Sequence, residues 1–329
     1  MLVLRATDVL RALPMAEAIE AVKRAYQALS AEEAEVPLRL SLPVAPHEGV
    51  SLFMPAYVHT SQEEALAVKV VSVFPHNVER GLPLIHAAVL VLEANSGRPL
   101  ALLEGGALTA IRTGAASGAA TDVLARPDSR VLAVFGAGAQ GRTQIEAVCT
   151  VRPIERVWLF DLDRACAEAL AADVAGKGPV PQDVRVAASP REAVAEADVI
   201  CTATTSRRPV FADEDLKPGV HINGIGAYTP EMAEVPPETV ARALVVVDSR
   251  QAALAEAGDL IQPLRAGRIT EAHIHAELGE ILLGRKPGRT SPEQITFFKS
   301  VGVAVQDALT ARVALRNALE EGLGQRVTW

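Results

Sequence analysis

The stretch "VLAVFGAGAQG" (131–141) decides the fold. Five apolar residues, Val131 to Phe135, read as a buried strand. Gly136 allows a tight turn, Gly138 lets the backbone approach a pyrophosphate, and a helix opens at about Ala139. A phosphate would sit on the N–H groups at that helix start, where the helix dipole favours negative charge. The third glycine of the pattern comes early, at Gly141, with Gln140 before it and Arg142 after. Glycine spacing alone is weak evidence. The context strengthens it, because a second strand follows, "RVWLFDLD", ending on Asp161, 25 residues beyond Gly136. An acid there accepts hydrogen bonds from ribose hydroxyls and repels a 2′-phosphate, which favours NAD over NADP. Asp163 is a second, weaker candidate, and Arg164 leaves some room for NADP.

Working outward, strands and helices alternate from about residue 107 at the spacing of βαβ units. "ALTAIRTGAASGAATDVLA" reads as a helix, "DVICTAT", "GVHINGIG" and "ALVVVD" as strands, and "ACAEALAADVA" and "PREAVAEA" as helices. The expected architecture is α/β, a parallel doubly wound Rossmann sheet. Thr202, Thr204, Ile225 and Gly226 end strands and should line its crevice. The threonines could equally cap the next helix. "TFFKSVGVAVQDALTARVALRNALEEG" (296–322) reads as one long helix that leaves this domain and packs on the other.

The first 105 residues have a different texture. "PMAEAIEAVKRAYQALS" (14–30) is a helix with Pro14 in its first turn and Met15, Ile19, Val22, Tyr26 and Leu29 forming one stripe. "SLFMPAYV", "ALAVKVVSVFP" and "HAAVLVLEANSGRPLALLEG" read as strands, the last as a hairpin. Three cations stand in apolar surroundings: Arg39 in "VPLRLSLP", Lys69 in its strand and Arg112 in the Ala-rich helix. Each could be a surface cation; together they would suit a substrate carboxylate. Lys69 is the best candidate, since burial lowers a lysine pKa and makes it a proton donor.

With 329 residues, 49% of them apolar, the chain is sized for two domains with a large core. A net charge of −8 without a basic run argues against nucleic acid or an anionic membrane as partner. No apolar stretch approaches the roughly 20 residues of a membrane span. Cys149, Cys166 and Cys201 form no CxxC pair and read as reduced packing residues of a cytoplasmic protein. His273 and His275 make an H-x-H pair with no completing ligands, so no metal site is expected and a polar helix surface is the reading.

The sequence resembles the ornithine cyclodeaminase/mu-crystallin family over nearly its whole length. The resemblance rests on "FMPAY", "AVKVVSVFP", "LTAIRTGAASGAAT", "FGAGAQG", "HINGIGAYTPEMAEV", "AGDLIQPL" and "ELGEILLGRKPGRTSPEQITFFKSVG". It implies a mixed α+β substrate and dimerisation domain (1–112 plus 303–329), formed by the N-terminal part and a C-terminal helix, beside a Rossmann domain (113–302). The active site would lie in the cleft between them, in a homodimer. By the same resemblance Arg39, Lys69 and Arg112 look like a carboxylate clamp. Ser117, Gly138, Ala139, Gln140, Asp161, Thr202, Ile225 and Ser300 look like dinucleotide contacts, with His86 near the nicotinamide.

Two departures matter. Ornithine cyclodeaminases have a glutamate where this chain has Leu52 and an aspartate where it has Tyr228; both handle the far end of a diamino acid. A lysine usual in the next segment is Met232 here. The clamp is kept and the acids for a distal amine are lost. The expectation is therefore NAD(P)H-linked reduction of a small carboxylate-bearing imine, with Lys69 as proton donor and Tyr228 ranked below it. Cyclodeamination of ornithine, an alanine-type dehydrogenase and a non-catalytic dinucleotide or small-ligand binder are the alternatives.

Overall fold

The structure, a computed structural model, describes residues 1–328. The chain divides into two compact units, Met1–Arg112 with the segment from Val303 onward, and Thr113–Gly302.

The first unit is built on a mixed eight-stranded sheet. Strands Pro99–Glu104, Ile85–Leu92, Glu64–Val73 and Gly49–His59 pair antiparallel in that order, and Leu2–Leu4 adds in parallel beside Pro99–Glu104. Leu40–Val44 pairs antiparallel on Gly49–His59. Alternation along the strands separates two faces. One carries Met54, Ala56, Ala67, Lys69, Val89 and Leu103, all buried. Helix Ala304–Glu321 packs over this face and against helix Met15–Ser30. The other face carries Phe53, Val68, Val70, Leu90 and Leu102, only partly buried, and ends on Leu40 and Leu42, 65% and 53% exposed.

In helix Met15–Ser30 the stripe Met15, Ile19, Val22 and Tyr26 is buried, each large side chain contributing roughly 1.5–3 kcal/mol. Pro14 lies one position outside the expected first turn: its ψ of 143° is extended, so it is the N-cap.

The second unit holds an eight-stranded sheet whose neighbouring strands all run parallel. Its order is Val184–Val186, Arg156–Phe160, Val131–Phe135, Val199–Thr202, His221–Gly224, Thr296–Lys299, Leu244–Val247, Ile274–Glu277. Leu132, Val134, Ile145, Val148 and Leu159 anchor the core between sheet and helix Ala139–Val151. The order reverses between Val131–Phe135 and Val199–Thr202, so the crevice at their carboxyl ends is the switch point where ligands bind in such folds.

Three expectations need correction. The long helix over 296–322 is a strand, Thr296–Lys299, then a helix, Ala304–Glu321. Thr296, Phe297 and Phe298 favour a strand, and Gly302 at φ +83° breaks the chain between the two elements. His273 and His275 do not share a helix surface. His273 ends a single 3-10 turn, Glu271–His273, and His275 lies in strand Ile274–Glu277; their Nε2 atoms meet the carbonyls of Val240 and Pro287 at 2.8 and 2.9 Å. Cys149 and Cys201 are buried, but Cys166 is exposed, with its Sγ 3.4 Å from Asp163 Oδ2.

Candidate active site

Local geometry makes the glycine turn in the second unit. Gly136 adopts φ +100°, and a Cβ there would lie 2.5 Å from the Ala203 carbonyl oxygen, so only glycine fits. Gly138 is the N-cap of helix Ala139–Val151 and has no side-chain cap, while Gly138 and Ala139 are exposed. A cavity of about 770 Å³ opens over Gly136 and Gly138, lined also by Phe135, Asp161, Ala203, Thr204 and Pro209. Gln140 Oε1 and Ser117 Oγ are buried without a hydrogen-bond partner. A bare helix N-terminus, open space at Gly138 and an acid at the next strand end fit a dinucleotide.

Asp161 has a structural task as well. Its Oδ2 accepts from the Ala137 N–H at 2.7 Å and its Oδ1 from the Asp163 N–H at 2.9 Å. Asp163 caps helix Arg164–Val174. Arg164, the residue that left room for a 2′-phosphate, ion-pairs with Glu168 at 2.7 Å.

The sheet-end loops are tied by a residue that sequence reasoning missed. Glu234 is fully buried and accepts five donors. Oε1 takes the Thr204 N–H and hydroxyl, at 2.6 and 2.7 Å. Oε2 takes the Thr202 hydroxyl at 3.0 Å and the N–H groups of Gly226 and Ala227 at 2.7 and 3.1 Å. Gly226 must be glycine because a Cβ would stand 2.1 Å from the Thr204 carbonyl oxygen. Asp259 accepts the Glu234 and Val235 N–H groups and lies 3.2 Å from Lys299 Nζ. Thr202 is therefore turned to Glu234, and Ala203 and Thr204 line the cavity instead. Ile225 is buried, Ser300 Oγ donates to Asp248 at 2.7 Å, and Tyr228 is 41% exposed. The one sequence signal for Glu234 was an acid set between Ala233 and Val235.

In the first unit, strand alternation places Lys69 on the buried face, opposite Met54 and Val89 on the flanking strands. Its side chain is 2% exposed, and Nζ lies 2.7 Å from Asp307 Oδ2. Arg112 Nε lies 3.2 Å from Asp307 Oδ1, and its Nη1 donates to Gln306 Oε1 at 3.0 Å. Gln306 Nε2 in turn donates to the Tyr26 hydroxyl at 2.9 Å. Burial, then the charge of Arg112, lowers the Lys69 pKa to about 8; Asp307 works in the opposite direction and Arg39 adds to the lowering. The structure thus brings Lys69, Arg112 and the influence of Arg39 together, and adds Asp307 and Gln306, which the sequence reading had placed in a plain helix. Leu52 lies on the Lys69 face, opposite Val71, and is partly buried. His86 is exposed, opposite Ser72 on the other face.

Comparison with known proteins places these two sites in context. Residues 1–322 match the ornithine cyclodeaminase/mu-crystallin family, and the chain belongs to that family. It is 44% identical over 99% of both chains to a Delta(1)-pyrroline-2-carboxylate reductase of Bacillus cereus. Among solved structures it resembles the Thermococcus litoralis Delta(1)-pyrroline-2-carboxylate reductase in complex with NADH and L-proline. That match has TM-score 0.94 and 44% identity, covering 99% of this chain and 100% of the other. An archaeal alanine dehydrogenase dimer with bound NAD is also similar, with TM-score 0.92 and 32% identity over 100% and 99% of the two chains.

Proposed function

We propose that this protein reduces a small cyclic imine bearing a carboxylate, such as 1-pyrroline-2-carboxylate or 1-piperideine-2-carboxylate, to the L-amino acid with NADH. The observation that carries this is the cation cluster. Lys69 and Arg112 are buried around a single acid, Asp307, with the charge of Arg39 felt at Lys69. Buried positive charge in excess calls for an anion. The relatives that this chain resembles at 44% identity are reductases of such an imine.

The backbone at Gly136 and Gly138 would hold NADH, which would supply the hydride. Arg112, whose Nη1 is held by Gln306, offers its remaining edge to the substrate carboxylate, and Arg39 and Lys69 complete the clamp. As the imine carbon gains the hydride, the C=N π pair moves to nitrogen, which takes a proton from the Lys69 ammonium. Solvent then returns the proton to Lys69. Leu52 and Tyr228 offer no carboxylate to a distal amine, which favours a ring already closed over ornithine. Asp161 and Asp163, with Arg164 paired to Glu168, would repel a 2′-phosphate and so prefer NAD(H) to NADP(H).

The half-exposed apolar face of the first sheet, with Leu40 and Leu42 at its edge, suits a second copy of the chain, giving a homodimer. Three unpaired thiols favour the reducing cytoplasm, where the product would enter proline metabolism. The test is a substrate panel: NADH oxidation with both cyclic imines, and ammonia release from ornithine with NAD. Rapid imine reduction without ammonia release is expected. Fast ammonia release with no reduction of free imine would overturn the assignment.

A further inference from the structure

Resting on that reading, we propose that Asp307 is a positioning residue for the reduction, holding the Lys69 ammonium and the Arg112 guanidinium so that Lys69 stays a proton donor in the carboxylate site. Asp307 sits in the first turn of helix Ala304–Glu321, with its side chain 1% exposed. An acid at that place ordinarily serves the helix dipole or caps its N–H groups. This one does neither through a hydrogen bond: no backbone N–H donates to either carboxylate oxygen. Both oxygens face the two cations instead, Oδ2 at 2.7 Å from Lys69 Nζ and Oδ1 at 3.2 Å from Arg112 Nε.

The surroundings of Lys69 make that contact decisive. Helix Gly105–Leu124 brings Arg112, and the segment before Leu40–Val44 brings Arg39. The flanking strands bring Met54 and Val89, which carry no charge. Helix Met15–Ser30 contributes Tyr26, one step removed through Gln306. Asp307 is thus the carboxylate set directly against Lys69. Burial and Arg112 lower the Lys69 pKa to about 8, and Asp307 resists the fall. Without Asp307, a buried lysine facing two arginines sheds its proton at lower pH, and a neutral amine cannot protonate an imine. A substrate carboxylate arriving beside the same ammonium favours its charged form, so carboxylate binding should draw a proton onto Lys69 near pH 8.

Two measurements test this. The first is kcat/KM for 1-pyrroline-2-carboxylate reduction against pH, for the wild type and Asp307→Asn. Its alkaline limb should fall near pH 8 in the wild type and move down by about one unit in the variant, so that the loss is about fivefold greater at pH 8 than at pH 6. A uniform loss with an unmoved limb would reduce Asp307 to packing and overturn the proposal. The second is calorimetric binding of cyclopentanecarboxylate to the wild type, in buffers of different ionisation enthalpy between pH 7 and 9. Proton uptake that peaks near pH 8 is expected, and its absence overturns the proposal even if Asp307→Asn fails to fold. The readings separate cleanly. Proton-linked carboxylate binding in a protein that reduces no imine would discard the assigned activity and keep the Asp307–Lys69 linkage. Imine reduction with no proton uptake would do the reverse.

Discussion

The proposed dinucleotide site and the proposed carboxylate site of this protein are built from different kinds of group. Over Gly136 and Gly138 the proposed dinucleotide site is made of backbone: a positive φ, an uncapped helix start and a strand end supply the geometry, and all lie within one βαβ unit. Around Lys69 the proposed carboxylate site is made of side chains, and they come from far apart, with Asp307 lying 238 residues beyond Lys69 and 195 beyond Arg112. A backbone site is tolerant of side-chain change except at its glycines. A side-chain site fails when any one charge is removed, because the charges left behind are buried and unbalanced.

The contrast can be broken by mutation. Lys69→Ala should cost the most, lowering kcat for imine reduction by about 10²–10⁴-fold, the usual contribution of a proton donor. NADH affinity, measured by fluorescence titration, should stay within twofold, roughly the ±0.5 kcal/mol of a neutral change. A matching loss of NADH binding would mean that the two sites are not separate in function. Next comes Gly136→Ala, which sets a Cβ 2.5 Å from the Ala203 oxygen at φ +100°. Roughly 1–3 kcal/mol of strain predicts NADH binding weaker by about 5–150-fold. Affinity for cyclopentanecarboxylate should be preserved.

Glu234→Gln sharpens the picture between these extremes. It replaces one acceptor oxygen of the five-donor carboxylate with an amide that must donate, leaving N–H groups of the sheet-end loops unpaired. A loss of roughly 1–3 kcal/mol is expected. It should appear as NADH binding weaker by about tenfold and a lower Tm, both read by fluorescence. Unchanged binding would make Glu234 a residue of the core alone. The smallest effect is expected at Tyr228→Phe. The ring is 41% exposed, and loss of its hydroxyl should change kcat by less than about twofold. A tenfold fall would bring the hydroxyl into the chemistry and displace Lys69 as the proton donor.

How much the sequence disclosed follows the same division. Strand Val131–Phe135, its glycine turn and the acid at 161 are local features, and their spacing is visible in one line of text. Lys69 was visible because period-two alternation sets it with Ala65 and Ala67 on a buried face. Asp307 was not, since an acid in "VAVQDALTA" looks like any first-turn acid of a helix until tertiary structure turns it onto two cations. Glu234 stayed hidden for a related reason: its five donors come from residues 202, 204, 226 and 227, on two strand ends. The strand Thr296–Lys299 was misread because a short apolar run fits either a buried strand or a helix, and only pairing with His221–Gly224 and Leu244–Val247 decides.

In the proposed reaction the site around Lys69 holds an imine, which receives a hydride from NADH. Reduction of 1-pyrroline-2-carboxylate with NADH deuterated at nicotinamide C4, followed by mass spectrometry of the product, tests it most directly. L-Proline carrying one deuterium at Cα, formed without ammonia, is expected. Proline without deuterium, or ornithine turned over with ammonia faster than the free imine is reduced, would contradict it.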